Sequence, residues 1–225
     1  MTTHHLDALQ SWVAQQPGLD ASELELIAGD ASPRQYYRVG CLTDGLAGVS
    51  SCIVMVSPPS ENNEAFLHVG RCLASAGVQI PKVLAQLAER GWFLLEDFGD
   101  VQLLSVLNTE SASFHYRQAF DVLMKQVQLP TAAAGIPDYN ASRLYAELSL
   151  FSEWFLPRLL NVTVSESIMA RFTALSEQLL ISALEQPQVW VHRDFHSRNI
   201  MVLEAGLGII DFQDAVVGPI TYDPV

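Results

Sequence analysis

Between two apolar runs near the end of the chain stands a block of ionisable and polar residues, Val191-His192-Arg193-Asp194-Phe195-His196-Ser197-Arg198-Asn199-Ile200, followed by Ile209-Ile210-Asp211-Phe212. A loop that holds several charged groups between buried strands is a place for chemistry. Transfer of a phosphoryl group to a hydroxyl asks for a positioned hydroxyl, a nearby proton acceptor and cations that compensate the charge spread over the transferred group. Asp194 supplies the acceptor, because a carboxylate that stays ionised beside a metal takes or orients a hydroxyl proton at neutral pH. Asn199 offers a neutral oxygen and Asp211 a charged one, which suits magnesium, a hard ion that prefers oxygen. His192 reads as a hydrogen-bonding residue that braces the loop. His196 and Arg198 are candidates to reach substrate or phosphate, with a solvated or ion-paired role as the equal alternative. Asp214 is at most a secondary polar contact.

The spacing is that of the kinase catalytic loop, in which His-x-Asp is followed five residues after the Asp by Asn, with a metal-binding Asp at the end of the next hairpin. Order, separation and flanking strands agree together, which a lone His-x-Asp does not offer. A loop of capped turns and salt bridges is the plainer alternative.

Such a loop needs a scaffold, and 225 residues with 49% hydrophobic content suffice for one large domain or two small lobes. Lysine and arginine total 12 against 25 aspartates and glutamates, a net charge of −13. That surface repels nucleic-acid phosphates and anionic lipid, so neither nucleic acid nor a membrane is an expected partner. ATP remains compatible with it, because magnesium and local arginines compensate its charge. Cys41, Cys52 and Cys72 are odd in number and have no Cys-x-x-Cys or Cys/His spacing, so buried free thiols are expected. No basic segment followed by an apolar run opens the chain, and no apolar stretch reaches membrane-spanning length, so a reducing cytoplasm is the expected location. His4 and His5 read as a solvated helix start.

Apolar residues at helical spacing predict a helix over 6–15, stopped by Pro17-Gly18. Runs rich in β-formers at 24–28, 35–41 and 52–56 predict a small antiparallel sheet. A helix capped by Ser60 runs to Gly77, and short strands over 82–87 and 92–95 flank a turn at 89–91. After Glu96-Asp97-Phe98-Gly99-Asp100 helical periodicity dominates 111–128, 141–160 and 165–184, and short strands follow at 189–191, 200–203 and 208–210. The boundary falls near residue 98. A sheet-rich lobe over 1–97, including the connector, and a helix-rich lobe over 98–225 form an α+β fold with a cleft, where small ligands bind.

At these residues the chain resembles the aminoglycoside phosphotransferase and choline kinase superfamily, whose fold is a two-lobed relative of protein kinases. One branch is closer. Gly29-Asp30-Ala31-Ser32, Leu94-Leu95-Glu96-Asp97-Phe98-Gly99-Asp100, the loop from Val191 to Asn199, and the segment from Ile210 to Asp223 resemble bacterial anomeric sugar kinases, the N-acetylmuramate/N-acetylglucosamine 1-kinases of cell-wall recycling. The resemblance runs from about residue 24 to the end. It implies MgATP as donor, a sugar C1 hydroxyl as acceptor and a sugar 1-phosphate as product. It also implies that adenine lies against the connector near Glu96, Asp97 and Phe98, where backbone groups bind it, with Ser32 in the phosphate-side loop.

Two departures qualify the resemblance. Kinases usually place a lysine on the third strand to hold the nucleotide phosphates, paired with a helix glutamate. Here that strand reads Ile53-Val54-Met55-Val56, with Met55 in the lysine's place, so Glu64 lacks its usual partner. Compensation by an arginine is the expectation, Arg34 first and Arg38 second, against the alternative of surface arginines on a twisted strand. The Gly29 loop has no G-x-G-x-x-G. The second departure is the ending at Tyr222-Asp223-Pro224-Val225, where relatives continue into helices that help form the acceptor pocket; an incomplete C lobe is expected. Glu147, Glu153 and Arg158 are possible acceptor contacts, with helix-surface charge as the default.

Two other functions stay open: a kinase for another small alcohol, such as an aminoglycoside or choline, and a catalytically silent nucleotide-binding module, which Met55 would suit.

Overall fold

The computed structural model describes residues 3–27, 33–42, 50–132 and 135–224. In chain order its elements are α1 (Thr3–Val13), β1 (Leu19–Leu26), β2 (Gln35–Cys41), β3 (Ser51–Val56), α2 (Asn63–Ser75), β4 (Val83–Leu87), β5 (Trp92–Glu96) and α3 (Leu103–Val106). There follow α4 (Ala112–Gln126), α5 (Ala141–Leu150), α6 (Glu166–Leu184), β6 (Gln188–Val191), β7 (Ile200–Leu203), β8 (Gly206–Ile209) and β9 (Val216–Pro219). The chain forms two compact units, one of residues 1–67, 79–108 and 197–210, the other of 68–78, 109–196 and 211–225.

The first unit is built on a five-stranded antiparallel sheet in the order β1-β2-β3-β5-β4. Successive side chains of a strand point to opposite faces, and the sequence uses this. Tyr37 and Val39 of β2, Cys52, Val54 and Val56 of β3, and Trp92 and Leu94 of β5 share a core with Leu9, Trp12 and Val13 of α1. Trp12 and Trp92 meet with ring centroids 5.9 Å apart. On the other face Met55 lies across the ladder from Tyr36 and Phe93. Phe66, from the start of α2, packs edge-on to Phe93 at 5.9 Å. The hairpin β7–β8 joins this unit: the Val202 N–H donates to the Val101 carbonyl at 2.8 Å and the Ile209 N–H to the Gln79 carbonyl at 2.8 Å.

Two glycines are fixed by close approach. Gly91, at φ 65°, follows the 3-10 turn Ala88–Arg90, and a Cβ there would stand 1.9 Å from the Ser57 carbonyl oxygen. A Cβ on Gly208 would stand 2.5 Å from the Phe98 ring. Only a residue without a side chain fits either place.

The second unit holds α4, α5, α6 and the two-stranded sheet β6–β9. Its core gathers Tyr139, Leu144, Val191 and Val216, with Leu180, Ala183, Val189 and Tyr222 packed around them.

The element plan follows the sequence reading, with four corrections. The cap of α2 is Asn62, whose side-chain oxygen accepts from the Ala65 N–H at 2.9 Å, so the helix starts beyond Ser60. β1 starts at Leu19, earlier than 24, because an edge strand accepts the polar run Asp20 to Glu23; the end of that expected strand, Ala28, lies outside the described residues. The helix expected over 141–160 is α-helical only to Leu150 and continues as a π-helix over Phe151–Leu159, with Pro157 inside it. Proline donates no N–H and crowds the preceding turn, and a wider turn accommodates both effects. Of the cysteines, Cys52 is buried while Cys41 and Cys72 are half-buried; all three are free.

Candidate active site

β6 carries Trp190 and Val191 into the core and delivers the polar loop at its end. His192 is buried, and its Nδ1 accepts the Asp194 backbone N–H at 3.3 Å, so the ring braces the turn. The Asp223 carboxylate holds the same turn from behind. It accepts the His192 N–H at 2.7 Å, the Arg193 N–H at 2.9 Å and the Gln126 side-chain amide at 2.8 Å. Gln126 also donates to the Trp190 carbonyl at 2.9 Å. Arg193 has φ 78°, a left-handed backbone that side chains with a Cβ adopt at a cost. Asp194 and His196 are exposed, and the His196 N–H closes the turn on the Asp194 carbonyl at 3.0 Å.

After His196 the chain passes into the first unit. There the Ser197 carbonyl accepts from the Leu104 N–H at 2.9 Å, Arg198 is exposed, and Asn199 is buried with its carbonyl accepting from the Ile210 N–H at 3.0 Å. Asp211, back in the second unit, is exposed and again left-handed, at φ 63°. Gln213 donates to its carboxylate at 2.8 Å and reaches Asp214 at 3.4 Å. Arg193 and Asp211, on the polar loops before and after the hairpin β7–β8, both hold a positive φ, which fits the tendency of functional sites to store backbone strain. Among the described residues no group of three or more His, Cys, Asp and Glu side chains is placed to hold a metal. An amide plus a carboxylate is the oxygen donor chemistry that a magnesium ion also carrying nucleotide oxygens accepts.

Ser32, with the loop Gly29 to Ser32, lies outside the described residues. Arg34 is buried, two residues before Tyr36, the cross-strand partner of Met55. Its Nε donates to Ser57 Oγ at 3.1 Å and stands 3.7 Å from Glu61, and its guanidinium lies over the Phe66 ring at 5.7 Å. The surface-arginine alternative is thus ruled out for Arg34. Its carboxylate neighbour is Glu61, ahead of α2, whereas Glu64 is exposed.

Arg38 faces two carboxylates, with Asp97 at 2.7 Å and Asp100 at 2.7 Å. Asp97 also accepts from Ser51 Oγ at 2.7 Å and the Gly99 N–H at 2.8 Å. Burial alone would raise the Asp97 pKa; the bonds from Arg38, Ser51 and Gly99 outweigh it and hold the carboxyl below its usual range. The bonds to Asp97 and Asp100 push the Arg38 guanidinium up. Glu96 ends β5 and pairs with Lys82 at 3.7 Å, and the Phe98 ring packs on Gly208.

Sequence reasoning gave no role to Asp223 and treated Glu147 as a solvated helix charge by default. In the structure Glu147 is half-buried and bonds Arg193 at 2.6 Å. Neither stands at a diagnostic spacing from the loop, and only the fold brings them to it.

A family model described as the phosphotransferase enzyme family matches residues 23–225. The chain belongs to this family. Among curated relatives, an N-acetylmuramate/N-acetylglucosamine kinase of Pseudomonas putida is 40% identical over 203 residues, covering 90% of this chain and 58% of that protein. The kinase of that name from Neisseria meningitidis is 32% identical over 207 residues, covering 90% and 60%. This phosphotransferase-family chain therefore spans about three fifths of the length of the curated relatives it matches. Of solved structures, an ADP-bound aminoglycoside phosphotransferase aligns with a TM-score of 0.66 at 13% identity, covering 99% of this chain and 74% of its own. A choline kinase from Streptococcus pneumoniae aligns at 0.67 with 14% identity, covering 98% and 73%. At these identities the likeness is one of fold, the protein-kinase-like α+β fold that the residues pointed to. No described helix is long and apolar enough to cross a membrane.

Proposed function

We propose that the chain carries ATP-dependent phosphoryl transfer to the anomeric hydroxyl of an amino sugar, such as N-acetylmuramate or N-acetylglucosamine, in cytoplasmic cell-wall recycling. One observation carries the reading: the family match over 23–225 contains the complete Asp194, Asn199, Asp211 pattern, and Asp194 follows a turn braced by His192 and Asp223. The acceptor class comes from relatives that carry that kinase name at 40% identity.

Asp194, which is exposed, accepts or orients the proton of the attacking hydroxyl. Asn199 and Asp211 are the residues that would hold magnesium, which when bound neutralises charge on the nucleotide phosphates. Arg34 replaces the missing strand lysine at the polyphosphate, with Ser32 nearby in sequence. The backbone from Glu96 to Phe98 receives the adenine, its side chains being engaged elsewhere. His196 and Arg198, both exposed, supply further contacts to substrate or phosphate.

ADP release measured across amino sugars, aminoglycosides and choline, with the Asp194→Asn variant as control, tests this. Turnover with amino sugars, lowered on the order of 100-fold or more in Asp194→Asn, is the expected result. Turnover confined to aminoglycosides or choline would transfer the activity to another acceptor class. ATP binding without turnover on any acceptor would favour the nucleotide-binding module.

A further inference from the structure

We infer that Glu147 of α5, together with Tyr139, is a positioning device for the loop: the pair grips the Arg193 side chain, holds its left-handed backbone and so orients Asp194. The inference rests on the reading of Asp194 as the proton acceptor.

A left-handed conformation at a residue with a long side chain persists where its surroundings over-determine it. Arg193 is held at both ends. At the backbone end the Asp223 oxygens accept the His192 and Arg193 N–H groups at 2.7 and 2.9 Å. At the side-chain end the Arg193 guanidinium donates to Glu147 Oε1 at 2.6 Å and lies over the Tyr139 ring at 5.4 Å. The second Glu147 oxygen is occupied too, accepting from the Tyr139 hydroxyl and from the Tyr222 hydroxyl at 3.4 Å. A carboxylate with both oxygens engaged on a guanidinium and two phenols is a built contact, whereas a solvated helix charge would leave them to water.

The anchor is rigid. Tyr139 is 1% exposed, its N–H donates to the Val217 carbonyl at 2.7 Å, and its ring meets Tyr222 edge-on at 5.2 Å. α5 is capped at its start by Asn140, which accepts the Arg143 N–H at 3.0 Å. Burial first, and the neighbouring carboxylate after it, push the Tyr139 phenol up, so it remains a donor to Glu147 through the working pH range.

Asp194 is joined to Arg193 by one peptide, whose N–H is docked on His192. Relaxation of Arg193 toward an ordinary backbone would rotate that peptide and displace the carboxylate. A displacement of about 1 Å at a reacting group costs on the order of 100-fold in rate.

The test compares Glu147→Ala, Glu147→Gln, Tyr139→Phe, Arg193→Ala and the double variant Glu147→Ala/Arg193→Ala in the 225-residue chain, with Asp194→Asn as reference. With ATP and N-acetylglucosamine, Glu147→Ala is expected to lower kcat at least about tenfold with KM for ATP unchanged. Glu147→Gln should recover part of the loss, and the double variant should be no worse than the poorer single. Amide hydrogen exchange at Arg193 and Asp194 decides the matter without turnover. It should accelerate about tenfold in Glu147→Ala while the amides of β6 stay protected. Unchanged exchange at those two amides would overturn the inference, as would unchanged kcat beside an inactive Asp194→Asn. An Asp194→Asn variant that turns over normally would sink the catalytic reading alone and leave the exchange result to judge the grip on the loop.

Discussion

Asp223 binds two consecutive backbone N–H groups and a side-chain amide, a load usually shared among several acceptors. Replacing it by asparagine turns an amide donor toward groups that are themselves donors and leaves at least one of them without an acceptor. The Asp223→Asn chain is expected to lose about 2–3 kcal/mol of stability. Thermal denaturation checks this, and a melting temperature within a degree of the parent's would contradict it. At the same scale Gly91 and Gly208 set limits of another kind, because backbone in one case and an aromatic ring in the other occupy the space a Cβ needs. The candidate loop residues stand out in the sequence itself, since Asp194, Asn199 and Asp211 have the spacing of a kinase catalytic loop. Asp223 and Glu147 do not, because their partners are 30 and 46 positions away and nothing local marks them.

At the level of elements, β2 and β3 carry the cation argument. Arg34 lies over Phe66, at the start of α2, and Phe66 meets Phe93, the cross-strand partner of Met55. If Arg34 serves in place of a strand lysine, Arg34→Ala should raise KM for ATP about tenfold or more, and adding Met55→Lys should restore part of the affinity. Nucleotide titration of both variants, after melting curves confirm that they fold, checks this; full affinity in Arg34→Ala would refute it. β2, β3 and β5 were readable because each is a short run rich in β-forming residues, and α1 because its apolar residues recur at helical spacing. α3 has only four residues, too few for a period, and β9 is four residues holding glycine and proline, which tell against a strand until β6 pairs with it. The π-helical stretch escaped notice for a different reason, since Pro157 reads equally as a helix end.

For the molecule as a whole, charge and ion pairing act in opposite directions as pH falls. A net charge of −13 repels itself at neutrality, and moderate acidification relieves that repulsion. Asp97 then imposes a limit. Its folded pKa is depressed, so the stability it lends is complete above the ordinary value of 3.8 and is lost as pH falls through its lower folded value. Melting temperature is expected to be highest between about pH 5 and 7 and to fall steeply below about pH 4, less steeply in an Asp97→Asn chain. A parent and variant with superimposable acid limbs would remove Asp97 from this account. The sheet that carries this ion pair also carries Cys52, fully buried on the α1 face, its thiol pushed up to about 12 chiefly by burial. Such a sulfur is shielded from alkylating reagents as long as the strands stay closed, whereas Cys41 and Cys72 are partly open to them. In a chain with those two replaced by serine, Cys52 becomes a stopwatch, and its labelling rate counts how often the sheet comes apart.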